Sequence, residues 1–221
     1  VARKRAKSKD PPDDLRRVPS QERSKRRLES IIDAAARLFA SEGFAATTME
    51  RIAAGAGTSI GSVYQFFPNK RAVFKAVAME CIRRSEQAFA SQIGPESFTK
   101  PWHELLDQTI DTFLSLNETQ PIFRAVWRNP ALYEDYAAED EAQMRDFADR
   151  LAQLLGLWLP NEPLERRRNV ATTVVQATVA LIFTAGRAGG PTDPGLIRET
   201  KLMLRRYLEP MVDQQEPPEE S

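Results

Sequence analysis

Between Thr47 and Lys70 the chain sets three helix-start signals, Thr47, Ser59 and Asn69, and three glycines, Gly55, Gly57 and Gly61, so close together that only two very short helices around a tight turn can form there. Thr47 followed by Glu50 reads as a capping box, in which hydroxyl and carboxylate satisfy the first backbone N–H groups, and Met49, Ile52 and Ala53 continue an apolar face. Gly55-Ala56-Gly57 breaks that helix. Ser59 is placed to cap a third helix through Phe66, Pro68 ends it, and Asn69 caps a fourth. Ala53 is small where two helices would cross, Gly57 can adopt the positive φ of the turn, and Ile52 and Val63 are expected to face inward.

Such a pair needs a partner helix, and the sequence just upstream supplies one. From Ser24, the residues Leu28, Ile31, Ile32, Ala35, Leu38 and Phe39 recur at helical spacing until Gly43. Three helices with a short last member form a helix-turn-helix, whose second motif helix is free to enter a major groove. Its outward positions would be Thr58, Ser59, Ile60, Ser62, Tyr64 and Gln65, all able to touch base edges or phosphates, with Gly61 allowing close backbone approach. Lys70, in the first turn of the next helix, adds a cation where backbone N–H groups already favour phosphate. Taken singly, Thr47 and Ser59 read as caps and Tyr64 as packing; taken together, they read as a DNA-reading unit.

Charge agrees with that assignment. The formal net charge is zero, yet residues 1 to 75 carry 16 Lys and Arg against 8 Asp and Glu, and the remainder 15 against 23. A basic end joined to an acidic body suits a nucleic-acid partner. Val1 to Gln21 is too poor in apolar residues to order itself and is expected to be a basic arm, its Arg3, Lys4, Arg5, Lys7 and Lys9 serving either DNA or solubility. Arg23, Lys25, Arg26 and Arg27 lie nearer the motif and are expected to reach phosphates.

Ser24 to about Val77, with Ala34-Ala35, Leu38-Phe39, Gly43-Phe44, Thr47-Thr48, Ile52-Ala53, Ala56-Gly57, Gly61, Tyr64, Phe67, Lys70 and Phe74, closely resembles the DNA-binding domain of the TetR (tetracycline repressor) family. The resemblance implies that Thr48, Tyr64 and Lys70 hold phosphate while Ile60, Gly61 and Ser62 face the groove. Met49 and Ile60 stand where many members carry a polar or basic residue, so apolar contact to a thymine methyl replaces base hydrogen bonding there. It also implies an all-α fold: a helix-turn-helix domain over 22–68, a helical effector-binding and dimerisation domain over 69–213, and repression relieved by a small apolar effector. An acidic tail over 214–221 follows.

Downstream, helices are expected near 69–93, 101–118, 120–129, 131–159, 162–187 and 194–213, divided by Gly and Pro. No segment alternates as a strand. A helix-turn-helix of this size makes too few base contacts alone, so a dimer on a palindrome is expected. Val170, Val174, Ala177 and Leu181 on one helix, with Leu204 and Leu208 on the last, are the expected interface. Phe113, Phe123, Trp127 and Phe147 are expected to line an effector pocket, with His103 or Gln176 as polar anchors.

Other chemistries find little support. One cysteine, Cys81, and one histidine, His103, exclude disulfide frameworks and argue against a metal site, and no cofactor is expected. Cys81 reads as inert packing, although a redox-sensing thiol is the other reading. Glu134, Asp135, Glu139, Asp140 and Glu141 read as a solvated helix face rather than a catalytic or metal cluster. No nucleophile elbow or phosphate loop supports an enzyme with a DNA-binding appendage, and a constitutive DNA binder with a filled core is the remaining alternative. No signal peptide opens the sequence and the uncharged stretch 169–186 carries several threonines, so a cytoplasmic protein without a membrane span is expected.

Overall fold

In a computed structural model that describes residues 22–92, 100–186 and 193–212, every regular element is helical. The basic arm and the acidic tail lie outside the described residues. The helices are α1 (Glu22–Ala46), α2 (Met49–Gly55), α3 (Ile60–Phe66), α4 (Lys70–Gln92) and α5 (Trp102–Thr119). After them come α6 (Pro121–Trp127), a 3-10 turn over Pro130–Asp135, α7 (Ala137–Leu155), α8 (Leu164–Gly186) and α9 (Pro194–Val212).

Local chemistry explains most boundaries. Gly43 takes φ 82°, which bends α1 away from its axis, and the Thr47 hydroxyl donates to the Gly43 carbonyl at 2.9 Å to close the bend. Ser59 accepts from the Ser62 N–H at 3.2 Å and Asn69 from the Ala72 N–H at 2.9 Å, so both expected caps form. The expected capping box does not form, because the third residue after the actual cap is Arg51 and Glu50 falls one place short. Thr48, not Thr47, is the N-cap of α2, and its hydroxyl accepts from the Arg51 N–H at 3.3 Å.

The single helix expected over 131–159 is divided. Pro130 opens the 3-10 turn, Tyr136 leaves helical geometry at φ −140° and ψ 9°, and α7 begins only at Ala137. Tertiary contacts hold that break: Arg71 grips Asp135 at 2.6 and 3.1 Å, and the Tyr136 ring packs 6.3 Å from that of Phe74. Likewise α6 stops at Trp127, which releases Arg128 and Asn129 to bond elsewhere.

Two cores result. The first joins α1 to α4 with α6 and the 3-10 turn, around Phe39, Phe44 and Phe74, whose centroids lie 5.5 to 5.7 Å apart. Packing therefore runs without interruption across the boundary expected at residues 68 and 69, because Val73, Phe74 and Val77 of α4 belong to the same core as Ile31 and Ile52. Each such fully buried side chain contributes roughly 1.5 to 3 kcal/mol against the cost of ordering the chain. The second core joins α5, α7, α8 and α9 around Ile110, Ala152, Val170 and Leu204.

Candidate functional site

Helices α2 and α3 cross where Ala53 and Val63 are both buried, and the turn between them depends on Gly57 at φ 63°. A Cβ at Gly57 would meet nothing within 4 Å, so backbone conformation alone demands glycine there. Gly61 differs. It lies on the exposed side of α3, and a Cβ there would meet only the Ser59 hydroxyl, at 4.0 Å. Packing within the chain therefore does not require a glycine at 61.

The expected reader residues divide into three groups. Thr48, Ser59, Gly61, Tyr64 and Gln65 are exposed, with Tyr64 at 42% the largest apolar surface on the motif. Thr58, Ile60 and Ser62 are half-buried; Ile60 leans on the first core, and Ser62 sits 3.0 Å from the Ser59 hydroxyl. Thr47 and Met49 are inside, at 0% and 7% exposure, so neither side chain is presented to a ligand. Met49 shares the buried face of α2 with Ile52 and Ala53, and the Thr47 hydroxyl is taken by the Gly43 carbonyl. Glu50 stays in water, its carboxyl held below the usual range by its own backbone N–H and by the Thr48 hydroxyl.

Lys70 also departs from expectation. Its ammonium donates to the carbonyls of Phe44 at 2.6 Å, Thr47 at 2.7 Å and Ala45 at 3.3 Å, and lies 4.4 Å from the centre of the Phe44 ring. It therefore closes the carbonyl end of α1, where a cation complements both the free C=O groups and the helix dipole. Three carbonyls and a ring leave it little reach for phosphate. On α1 itself Arg23, Lys25 and Arg26 are exposed, with Arg26 3.9 Å from Glu22.

A strut joins this motif to the rest of the molecule. Past the end of α6, the Asn129 carbonyl oxygen accepts the Phe44 N–H at 3.1 Å while its amide donates to Ala125 at 2.7 Å. Arg128 donates to the Ala40 carbonyl at 2.6 Å. Arg71 to Asp135 and Lys75 to Glu139, the latter at 3.3 Å, repeat the tie between α4 and the segment after α6.

Directly behind this strut is a cavity of about 380 Å³, walled by α4, α6, the 3-10 turn, α7 and α8. Phe123, Trp127 and Gln176 line it as expected positions, together with Phe113, which also borders a smaller apolar chamber. That chamber, about 100 Å³, holds Phe147, and Phe89 packs 4.0 Å from the Phe147 ring and 4.4 Å from that of Phe113. His103 reaches neither space; it is exposed beside Trp102, 5.8 Å between centroids. Tyr133 and Tyr136, part of the aromatic set from which a pocket was expected, also line the larger cavity, as does Asp140, which was expected on a solvated face.

The titratable groups here are shaped by burial. The Cys81 thiol and the Tyr136 phenol are both pushed far up by desolvation, which keeps them protonated and the thiol unreactive. Burial also raises the Asp140 carboxyl, against a hydrogen bond from Tyr133 that lowers it. Among the described residues no group of three His, Cys, Asp or Glu side chains could hold a metal ion, and no helix is long and apolar enough to cross a membrane.

The expected interface residues are already covered in part. Val170, Val174, Leu204 and Leu208 are buried by the chain's own helices, whereas Ala177 and Leu181 are half-buried. Exposed instead are Thr172, Thr173, Gln176 and Ala180 on α8, and Leu202 and Met203 on α9 at 39% and 46%.

Comparison with known proteins places this geometry among relatives. The family model for bacterial regulatory proteins of the tetR family matches residues 31–77, and that for the tetracyclin repressor-like C-terminal domain matches 101–208. A TetR-family transcriptional regulator from Streptomyces coelicolor is 29% identical, with TM-score 0.60 over 84% of this chain and 99% of that one. The SmeT–triclosan complex is 25% identical, with TM-score 0.60 over 88% and 99%. An uncharacterised HTH-type transcriptional regulator of Bacillus subtilis, YhgD, is 25% identical over 117 residues, 53% of this chain and 60% of that protein. The chain thus matches less than two thirds of the length of that curated relative.

Proposed function

Because the chain belongs to the TetR family of bacterial transcriptional regulators, with a helix-turn-helix DNA-binding domain, we propose that it works as a homodimeric repressor that leaves its operator when a small molecule fills the cavity behind α6. The observation that carries this reading is the strut of Arg128 and Asn129. These two side chains end α6, which walls the cavity, and bond directly to the turn that closes α1 of the reader.

Occupancy of the cavity moves α6 and the 3-10 turn, and α1 follows through those bonds. The spacing between two reading helices in a dimer then changes. Each 1.4 kcal/mol of preference for the displaced conformer weakens DNA binding about tenfold. A chamber of this size also favours a sensor over a constitutive binder with a filled core. One solved relative is a complex with triclosan, so a relative of this fold holds a small molecule.

The dimer reading rests on the exposed stripes of α8 and α9, chiefly Thr172, Gln176, Leu202 and Met203. Val170, Val174, Leu204 and Leu208 support those stripes from below. Selection of bound sequences from random duplexes tests the whole. A palindrome with half-sites about one helical turn apart, or a multiple of it, is the expected outcome, and an asymmetric consensus counts against the dimer.

A further inference from the structure

The larger cavity has an unusual charge arrangement for a space so rich in rings. Asp140 lines it together with Tyr133 and Tyr136; the Tyr133 hydroxyl donates to the carboxylate at 3.3 Å, and the two rings meet edge to face at 5.3 Å. The basic side chains nearby are engaged with other carboxylates. Arg84 holds Glu80 at 2.8 Å and Asp33 at 2.9 Å, Lys75 holds Glu139, and Arg71 holds Asp135, while the one guanidinium of the lining, Arg145, is exposed and lies 3.8 Å from Glu141, the second lining carboxylate. Among the described residues, the neighbours that act on the Asp140 carboxyl are a phenol and a second carboxylate, Glu141. A partly buried carboxylate without a cation is costly, and an incoming cation relieves that cost.

Two features narrow the ligand. Asp140 and Glu141 are the carboxylates of the lining, and among the described residues no group of three His, Cys, Asp or Glu could hold a metal ion, whereas ring faces beside a carboxylate suit a diffuse organic cation. Phe113, Met144, Thr178 and Val179 border both this cavity and the smaller apolar chamber. The hydroxyl of Thr178 is turned to the Val174 carbonyl at 2.7 Å, so the border is apolar in practice.

We propose that the cavity takes a monovalent organic cation bearing an apolar tail, its charged head between Asp140, Tyr133 and Tyr136 and its tail across Phe113 and Met144 into the apolar chamber. The inference rests on the reading of this cavity as the effector site and names the chemical class of that effector. It also gives Asp140 the role of distinguishing cations from neutral or anionic molecules of the same shape.

The test uses decyltrimethylammonium, decane-1-sulfonate and decan-1-ol, all below aggregation, titrated by calorimetry into the full chain. The cation is expected to bind one per protomer, at least about ten-fold tighter than the sulfonate. Asp140→Asn is expected to remove about ten-fold of the cation's affinity and leave the alcohol's unchanged, while Asp140→Glu retains the preference. Shortening the tail to butyl is expected to weaken binding further. Equal or tighter binding of the sulfonate to the wild-type chain overturns the proposal, and so does unaltered cation affinity in Asp140→Asn. Duplex binding by a protein without cation preference removes this site alone; cation preference in a protein that ignores every duplex keeps the site and removes the regulator reading.

Discussion

The side-chain carbonyl of Asn129 accepts the backbone N–H of Phe44 at 3.1 Å, across 85 residues of sequence, and so fastens the end of α6 to the last turn of the reader's first helix. Replacing Asn129 by Leu leaves that N–H without its partner in a half-buried place. A loss of about 1 to 3 kcal/mol in unfolding free energy is expected by denaturant titration. Coupling should suffer too: a ligand that fills the cavity should loosen the variant's grip on DNA less than the wild type's. A variant as stable and as responsive as the wild type contradicts the strut.

Lys70 divides two accounts of the motif. If its ammonium closes α1, Lys70→Met should destabilise the domain by about 1.5 to 3 kcal/mol, the range for hydrogen bonds to a charged group, and leave the salt dependence of DNA binding unchanged. If it clamps phosphate, the slope of log affinity against log salt should fall by about one with little loss of stability. The bonds to Phe44 and Thr47 predict the first outcome.

Gly57 offers a cleaner test of backbone conformation. At φ 63°, with open space around a would-be Cβ, Gly57→Ala meets strain alone, on the order of 1 to 2 kcal/mol. Gly61→Ala should instead leave thermal stability nearly unaltered and weaken DNA binding, because its Cβ has room within the chain but faces outward. Equal thermal losses in the two variants would be inconsistent with these placements.

Asp140 predicts a pH dependence. Its carboxyl is raised by burial, with Glu141 adding and Tyr133 opposing, while Cys81 and Tyr136 beside it stay protonated and Arg145 is paired to Glu141. A group that holds its proton more tightly when folded favours folding at low pH, and that contribution is lost as pH climbs from the ordinary carboxylate value through the raised one. Asp140→Asn should therefore gain stability relative to the wild type as pH rises across that window. Melting curves of both proteins from about pH 4 to pH 8 check it, and a constant difference goes against it.

Signals that act within a few residues were legible in advance. Ser59, Asn69, Gly43 and Gly57 each do what local chemistry dictates, and the helix-turn-helix follows from them. Adjacent threonines defeated the same reasoning at α2, since Thr47 and Thr48 are equivalent as caps until the Gly43 carbonyl claims the first. The carbonyl partners of Lys70 were not legible because they lie 23 to 26 residues away and become neighbours only when α1 bends back. The acidic run after Tyr133 looked like a solvated face, yet the break at Tyr136 sends Asp135 to Arg71, Glu139 to Lys75 and Asp140 into the cavity. Pairings over such separations leave no periodic trace.

The most direct test of the central claim is the affinity of a selected duplex for two proteins, the wild type and a variant with Ser62, Tyr64 and Gln65 all replaced by Ala. Fluorescence anisotropy at fixed salt and a melting curve for each suffice. With Tyr64 and Gln65 exposed on α3 and Ser62 half-buried beside them, the account predicts that affinity falls by about a hundred-fold or more while the melting temperature holds. Undiminished binding by the folded variant would mean that α3 does not read DNA.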